Sequence, residues 1–172
     1  LWNFKFEFDS QPGYQKMNKE NKLVPGLPSG FEDRWDKKLL LKKKLLKAIE
    51  KNFIKFGAEA LETPSFEISE NIGSFLAEDE ANPMSDVFSF NDGDKSITLR
   101  YDLSSPLARF YAQNNQELPS IFKRYQIQNV FRNEKAGNGR YREFMQADFD
   151  IVGNVNPAQA NAELCNLISS TL

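Results

Sequence analysis

From residue 140 onward the chain alternates with a period of two: Arg140, Arg142, Phe144, Gln146, Asp148 and Asp150 fall on one face of an extended strand, and Met145, Ala147, Phe149 and Ile151 on the other. The apolar set predicts a core face. A preceding strand over 121–133 and a glycine-containing turn over 137–139 complete a hairpin. Earlier, Trp35, Leu39, Leu46, Ile49, Phe53 and Phe56 recur at helical spacing, which predicts a helix over about 33–56 that stops at Gly57. Residues 57–66 read as a strand ending at Pro64, which lacks an N–H for a sheet ladder and so belongs at an edge or an interface. Residues 87–90 and 96–101 read as a second hairpin turning at 91–94, and 105–114 as a helix. Asn156 caps a last helix, with Pro157 at its first position, that runs to the chain end. The predicted class is α+β, an antiparallel sheet flanked by helices.

Composition narrows the chemistry. With 172 residues, 40% of them hydrophobic and 15 of them Phe, the chain can bury one core, and no linker divides it. A net charge of -2 gives no global case for nucleic-acid binding, so such a partner has to be held by a local patch or by segments outside this chain. The lysines from Lys37 to Lys47 on the first helix are better explained as a solvated face than as a tRNA-binding stripe. Cys165 stands alone, which excludes an intrachain disulfide and makes a cysteine-built zinc site implausible. No histidine is present, so Ser/His/Asp or Cys/His catalysis and histidine-ligated metals are excluded within these residues, and no metal ligands are expected. Chemistry must rest on Arg, Lys, carboxylates, hydroxyls or bound ions. No apolar run approaches the ~20 residues of a membrane helix, and a cytoplasmic protein is expected. Residues 1–16 precede Met17 and are expected to be a non-native or disordered leader; 17–172 are expected to form the structured part.

Two constellations carry candidate chemistry. In 96–104, Thr98, Arg100, Asp102 and Ser104 share one side of an alternating strand, and the Asp102 carboxylate with the Ser104 hydroxyl can hold an ammonium group. Taken alone, an amphipathic strand with a solvated polar side explains that pattern better. In the long hairpin, Arg132 and Glu134 share a face before the turn and Arg140 and Phe144 after it. A flat base can lie on Phe144 while guanidinium groups meet phosphate oxygens. The competing explanation is a set of surface Arg/Glu pairs, each worth about 0–1 kcal/mol. The turn is no Walker loop, because no Gly-Lys-Ser/Thr follows it.

At these residues the chain resembles a known family. Leu99-Arg-Tyr-Asp-Leu-Ser, then Phe131-Arg-Asn-Glu, then Gly139-Arg-Tyr-Arg-Glu-Phe-Met-Gln-Ala-Asp-Phe-Asp-Ile-Val-Gly is similar to the histidyl-tRNA synthetases of the class II aminoacyl-tRNA synthetases, over about 23–172. The first helix and Glu62-Thr63-Pro64-Ser65-Phe66-Glu67 resemble class II motif 1, which forms the family's homodimer interface; the long hairpin resembles motif 2. The resemblance implies that Arg132 meets the ATP α-phosphate and the histidine carboxylate. It likewise implies that Glu134 sits by the adenine, Arg140 by the terminal phosphates and Phe144 against the base. Asp102 and Ser104 would hold the α-ammonium group of histidine, Gln146 its carboxylate end and Asp150 its imidazole. Many relatives carry Glu at the positions of Asp102 and Asp150; a branch of the family shares the shorter carboxylates.

The implied reaction is attack of the histidine carboxylate on the α-phosphorus of ATP, with Mg²⁺, followed by transfer to the 3′ end of tRNA(His). Positioning and charge neutralisation suffice for it, so the lack of histidine is no obstacle. The family's second histidine-specific segment, motif 3 and the anticodon-binding domain are not found in these 172 residues. The chain is therefore expected to be the N-terminal part of a catalytic domain and inactive by itself. The alternative is the regulatory subunit of ATP phosphoribosyltransferase, a synthetase-like protein that senses histidine; a non-catalytic interaction module is the third reading. Glu134 and the Arg-Tyr-Arg-Glu-Phe segment fit a working ATP site and favour the synthetase.

Overall fold

The computed structural model describes residues 25–72 and 87–171. The expected leader, and Met17 with it, lies outside these residues. Helix α1 spans Asp36–Lys55 and α3 spans Pro157–Thr171. Between them run β1 (Glu59–Ala60), β2 (Phe66–Ile68), β3 (Ser89–Asp92), β4 (Lys95–Leu99), α2 (Ser104–Asn114), β5 (Ile121–Phe131) and β6 (Glu143–Gly153). The α+β class holds. One sheet, β1-β5-β6, is mixed rather than antiparallel, because β1 runs parallel to β5; the other, β2-β4-β3, is antiparallel.

The long hairpin organises the fold. Its strands pair without a bulge from Ile121↔Gly153 to Phe131↔Glu143. One face carries Tyr125, Ile127 and Phe149 against Ile49, Phe53 and Phe56 of α1 and its cap and Leu164 and Leu167 of α3. Phe53 lies 5.5 Å from Phe149 and 5.9 Å from Tyr125, ring to ring. This is the predicted core face, but it is packed only over its Phe149 half; Ala147 is exposed. The other face meets α2, where Phe110 lies 6.3 Å from Phe122 and where Pro106 and Leu107 are buried.

Local chemistry explains the boundaries. Gly57 ends α1 with φ of 79°, a left-handed conformation that costs glycine little. Asn156 Oδ1 accepts the N–H groups of Ala158 and Gln159, so the predicted cap of α3 is made. The strand expected over 57–66 is broken into Glu59–Ala60 and the start of β2 at Phe66, since the carbonyls of Thr63 and Pro64 between them are taken by Arg100 rather than by a strand. The short hairpin turns on Gly93 and Asp94 alone, so Asn91 and Asp92 belong to β3. The alternation expected to run through Ser104 stops at Leu99, and its polar side points inward: Thr98 is 1% and Arg100 3% exposed. The solvated face expected there is instead the hydrogen-bonded interior between the two sheets.

Candidate functional site

Burying Arg100 requires that its donors be satisfied. Its Nε donates to the Asn129 carbonyl at 2.6 Å, and its Nη1 to Thr63 O at 2.8 Å and Gln128 Oε1 at 3.1 Å. Gln128 Oε1 also accepts Thr63 N–H and the side-chain amide of Gln126, whose Nε2 reaches Thr63 Oγ1 at 2.8 Å. Gln126 Oε1 in turn accepts Arg124 Nη1 at 3.0 Å. A polar chain therefore runs inside the protein from the 63–64 segment to Arg124. Arg124 is fully buried, and its Nη2 donates to Leu103 O at 3.1 Å and lies 2.7 Å from Asp150 Oδ2.

Asp150 faces Arg124 across the ladder, with Asp148 opposite Gln126 and Gln146 opposite Gln128. Asp102 adds a third carboxylate within electrostatic reach of Arg124. Burial lowers the affinity of the Arg124 guanidinium for its proton, and the three carboxylates offset this only in part. Burial also pushes the Asp148 carboxyl up, against the pull of Arg124. Three acids around one buried cation leave an acidic surplus. Gln146 Oε1 and Asp150 Oδ2 are enclosed and make no aligned hydrogen bond, so this end of the hairpin has acceptor capacity to spare.

The turn end has the opposite character. Arg132 lies with its guanidinium carbon 4.4 Å from the Tyr101 ring centroid and 5.0 Å from that of Phe144, wedged between two aromatic faces. Glu134 accepts the Tyr101 hydroxyl at 2.8 Å and forms an ion pair with Arg140. The Tyr101 hydroxyl, followed by Arg140 and Arg132, holds the Glu134 carboxyl below its usual range even though burial opposes this. Arg142 Nε donates to Glu134 O at 2.8 Å and its N–H to Gly30 O at 2.8 Å, which pins the turn to the segment before α1. Arg132, Glu134, Gly139, Arg140, Tyr141 and Phe144 line a cavity of about 330 Å³.

The predicted residues fall in two groups: Arg132, Glu134, Arg140 and Phe144 line one cavity at the turn, and further along Gln146 and Asp150 share a face of β6, with Asp102 and Asp150 both near Arg124. Two placements differ from expectation. Arg140 is not in a strand: it bridges Gly137 within the turn, its side chain mostly exposed, because β6 begins only at Glu143. Asp102 and Ser104 do not alternate along one strand. Asp102 lies between β4 and α2 with Oδ1 accepting the Ser105 N–H at 3.0 Å, and Ser104 opens α2 with its side chain exposed.

Two residues escaped the sequence reading. Arg124 shares the two-residue period of Arg132, which puts it on the same face and would have revealed it. Tyr101 fell on the apolar side of its strand, and nothing local signals that its hydroxyl reaches Glu134 across the sheet.

Comparison with known proteins places this geometry. Residues 30–172 match the family model described as Histidyl-tRNA synthetase. The chain is 81% identical over 156 residues to the histidine--tRNA ligase of Pelagibacter ubique (strain HTCC1062), covering 91% of this chain and 34% of that protein. It is 42% identical over 159 residues to that of Rhodopseudomonas palustris (strain BisB18), covering 92% and 30%. Among solved structures it is similar to histidyl-tRNA synthetase from Nostoc sp. PCC 7120, with a TM-score of 0.65 and 27% identity over 84% of this chain and 34% of that one. A structure titled as an ATP phosphoribosyltransferase regulatory subunit/histidyl-tRNA synthetase from Bacillus halodurans C gives a TM-score of 0.73 at 22% identity, over 88% and 38%, a likeness of fold. The chain spans about a third of the length of the curated relatives it matches.

Proposed function

Because the chain belongs to the histidyl-tRNA synthetase family, we propose that the whole protein activates histidine with ATP and transfers it to tRNA(His), and that these residues supply much of its substrate pocket. The observation that carries this reading is the sorting of charge along one hairpin face. ATP would occupy the turn end, with its base on Phe144 and beside Glu134, its α-phosphate at Arg132 and its terminal phosphates at the exposed Arg140. Histidine would occupy the acidic end, its ammonium group toward Asp102 and Ser104, its carboxylate toward Gln146 and Arg132, and its imidazole toward Asp150.

The carboxylate oxygen of histidine then attacks the α-phosphorus, forming the O–P bond of the adenylate as the bond to the β-phosphate breaks and pyrophosphate leaves. A ribose hydroxyl of the tRNA afterwards attacks the activated carbonyl and releases AMP. Arg132 is the catalytic residue, its cation matching charge that develops on the α-phosphate. Its seat between Tyr101 and Phe144 pre-orients the guanidinium, so little ordering is left for the reaction itself. Mg²⁺ enters as part of the nucleotide substrate.

The protein is read as a cytoplasmic homodimer joined through the α1 and 62–67 region; among the described residues no helix is long and apolar enough to cross a membrane. The chain alone is read as inactive, since two thirds of its relatives' length lies outside the match. Histidine-dependent ATP/pyrophosphate exchange tests both statements: the complete protein should catalyse it and the 172-residue chain should not. A complete protein without exchange sinks the proposal.

A further inference from the structure

Arg124 is not among the substrate contacts just proposed, yet it is the most completely buried charge in the site, fully enclosed on the face that carries the pocket. Its two nitrogen arms do different things. Nη2 holds the carbonyl of Leu103, the residue next to Asp102, and touches Asp150; Nη1 is fixed by Gln126, itself held by Thr63. One planar fork therefore joins the backbone beside the ammonium-binding carboxylate to the side chain of the imidazole-binding carboxylate. These two groups come from different elements, the segment before α2 and strand β6. The sheet ladder does not connect them; Arg124 does.

We infer that Arg124 is a positioning residue for amino-acid recognition, which sets the separation of Asp102 and Asp150 and so makes the pocket a gauge for the distance between the ammonium group and the imidazole of the substrate; this rests on the functional reading above. The bond to Leu103 satisfies a buried donor and at the same time ties the backbone beside Asp102 to the fork that meets Asp150. Asp150 Oδ2 lies in ion-pair contact with Arg124 but is not aligned as its hydrogen-bond acceptor. The carboxylate is thus held in place while keeping capacity for a ligand N–H. The fork geometry matters as much as the charge: a lysine presents one point charge and cannot span Leu103 O, Asp150 and Gln126 together.

The test uses the complete protein and reads pyrophosphate exchange with histidine and with homohistidine, one methylene longer. Arg124→Gln should raise the KM for histidine about tenfold or more, leave that for ATP within about twofold, and shrink the preference for histidine over homohistidine. Arg124→Lys should shift the same quantities in the same direction by less. Where Arg124→Gln does not fold, the Lys variant decides alone. A histidine KM within about twofold of wild type in the Gln variant, histidine and ATP KM values rising together, or a wild-type-like Lys variant overturns the inference. Wild-type protein without histidine-dependent exchange instead overturns the functional reading, and the inference falls with it.

Discussion

The two ends of the long hairpin share a face, a register and a strand pair, yet they hold opposite charge. At the turn, Arg132 and Arg140 outnumber Glu134 and stand partly in solvent; deeper in the sheet, Asp102, Asp148 and Asp150 outnumber the enclosed Arg124. The ion pairs differ accordingly. Arg140–Glu134 joins a mostly exposed guanidinium to a carboxylate, a contact weak enough to open when phosphate oxygens compete for the arginine. Arg124–Asp150 is anchored at its arginine by two hydrogen bonds inside the protein, and removing one partner there strands a buried charge. One end is built to exchange partners and the other to keep them, which suits a polyphosphate arriving beside a smaller molecule that brings an ammonium group and a ring N–H.

The sharpest break of this contrast is Arg132→Ala in the complete protein. It should slow adenylate formation by about two to three orders of magnitude, measured as exchange, because the cation proposed to face the α-phosphate is lost. Near-normal turnover would remove Arg132 from the chemistry. Asp102→Asn should come next, weakening histidine binding by about ten- to a hundredfold while ATP binding stays close to wild type. Equal losses for the two substrates would place Asp102 outside the amino-acid site.

Glu134→Gln should have the smallest effect, raising the KM for ATP by roughly a few fold. It also offers a test through pH. The Glu134 carboxyl titrates below its usual range in the folded protein, so folding favours its ionised form. Its contribution to stability is present above the ordinary glutamate range and is lost as pH falls from that range through its lowered value. Thermal melts of Glu134→Gln should therefore lose part of the acid-side decline seen in wild type. An unchanged decline would show that Tyr101 and Arg140 do not hold this carboxylate.

How far these features were legible depended on whether a local pattern encoded them. The hairpin, its faces, the Gly57 stop and the Asn156 cap follow from periodicity and from residues with narrow backbone preferences, and all are present. The direction of the Thr98 and Arg100 face was misread, because burial of polar side chains depends on partners far along the chain. Thr63, Gln128 and Asn129 satisfy Arg100, and no spacing near residue 100 reports them. Asp102 with Ser104 failed as a strand pair for a related reason: the Ser105 N–H bond to Asp102 marks a helix start, which the continuing alternation masked. β1 pairs parallel to β5, a contact across more than 60 residues that local propensity does not carry.

The eleven-residue strands of the hairpin pair with no bulge to absorb a change in length. An insertion of a single amino acid inside β6 before Asp148 would turn every later side chain of that strand over, presenting Asp148 and Asp150 to α1 and α3 and Phe149 to the side of Arg124. Length variation among descendants of this protein should accordingly be confined to 132–142, between the paired strands, where a deletion or insertion reshapes the turn and leaves both faces of the hairpin as they are.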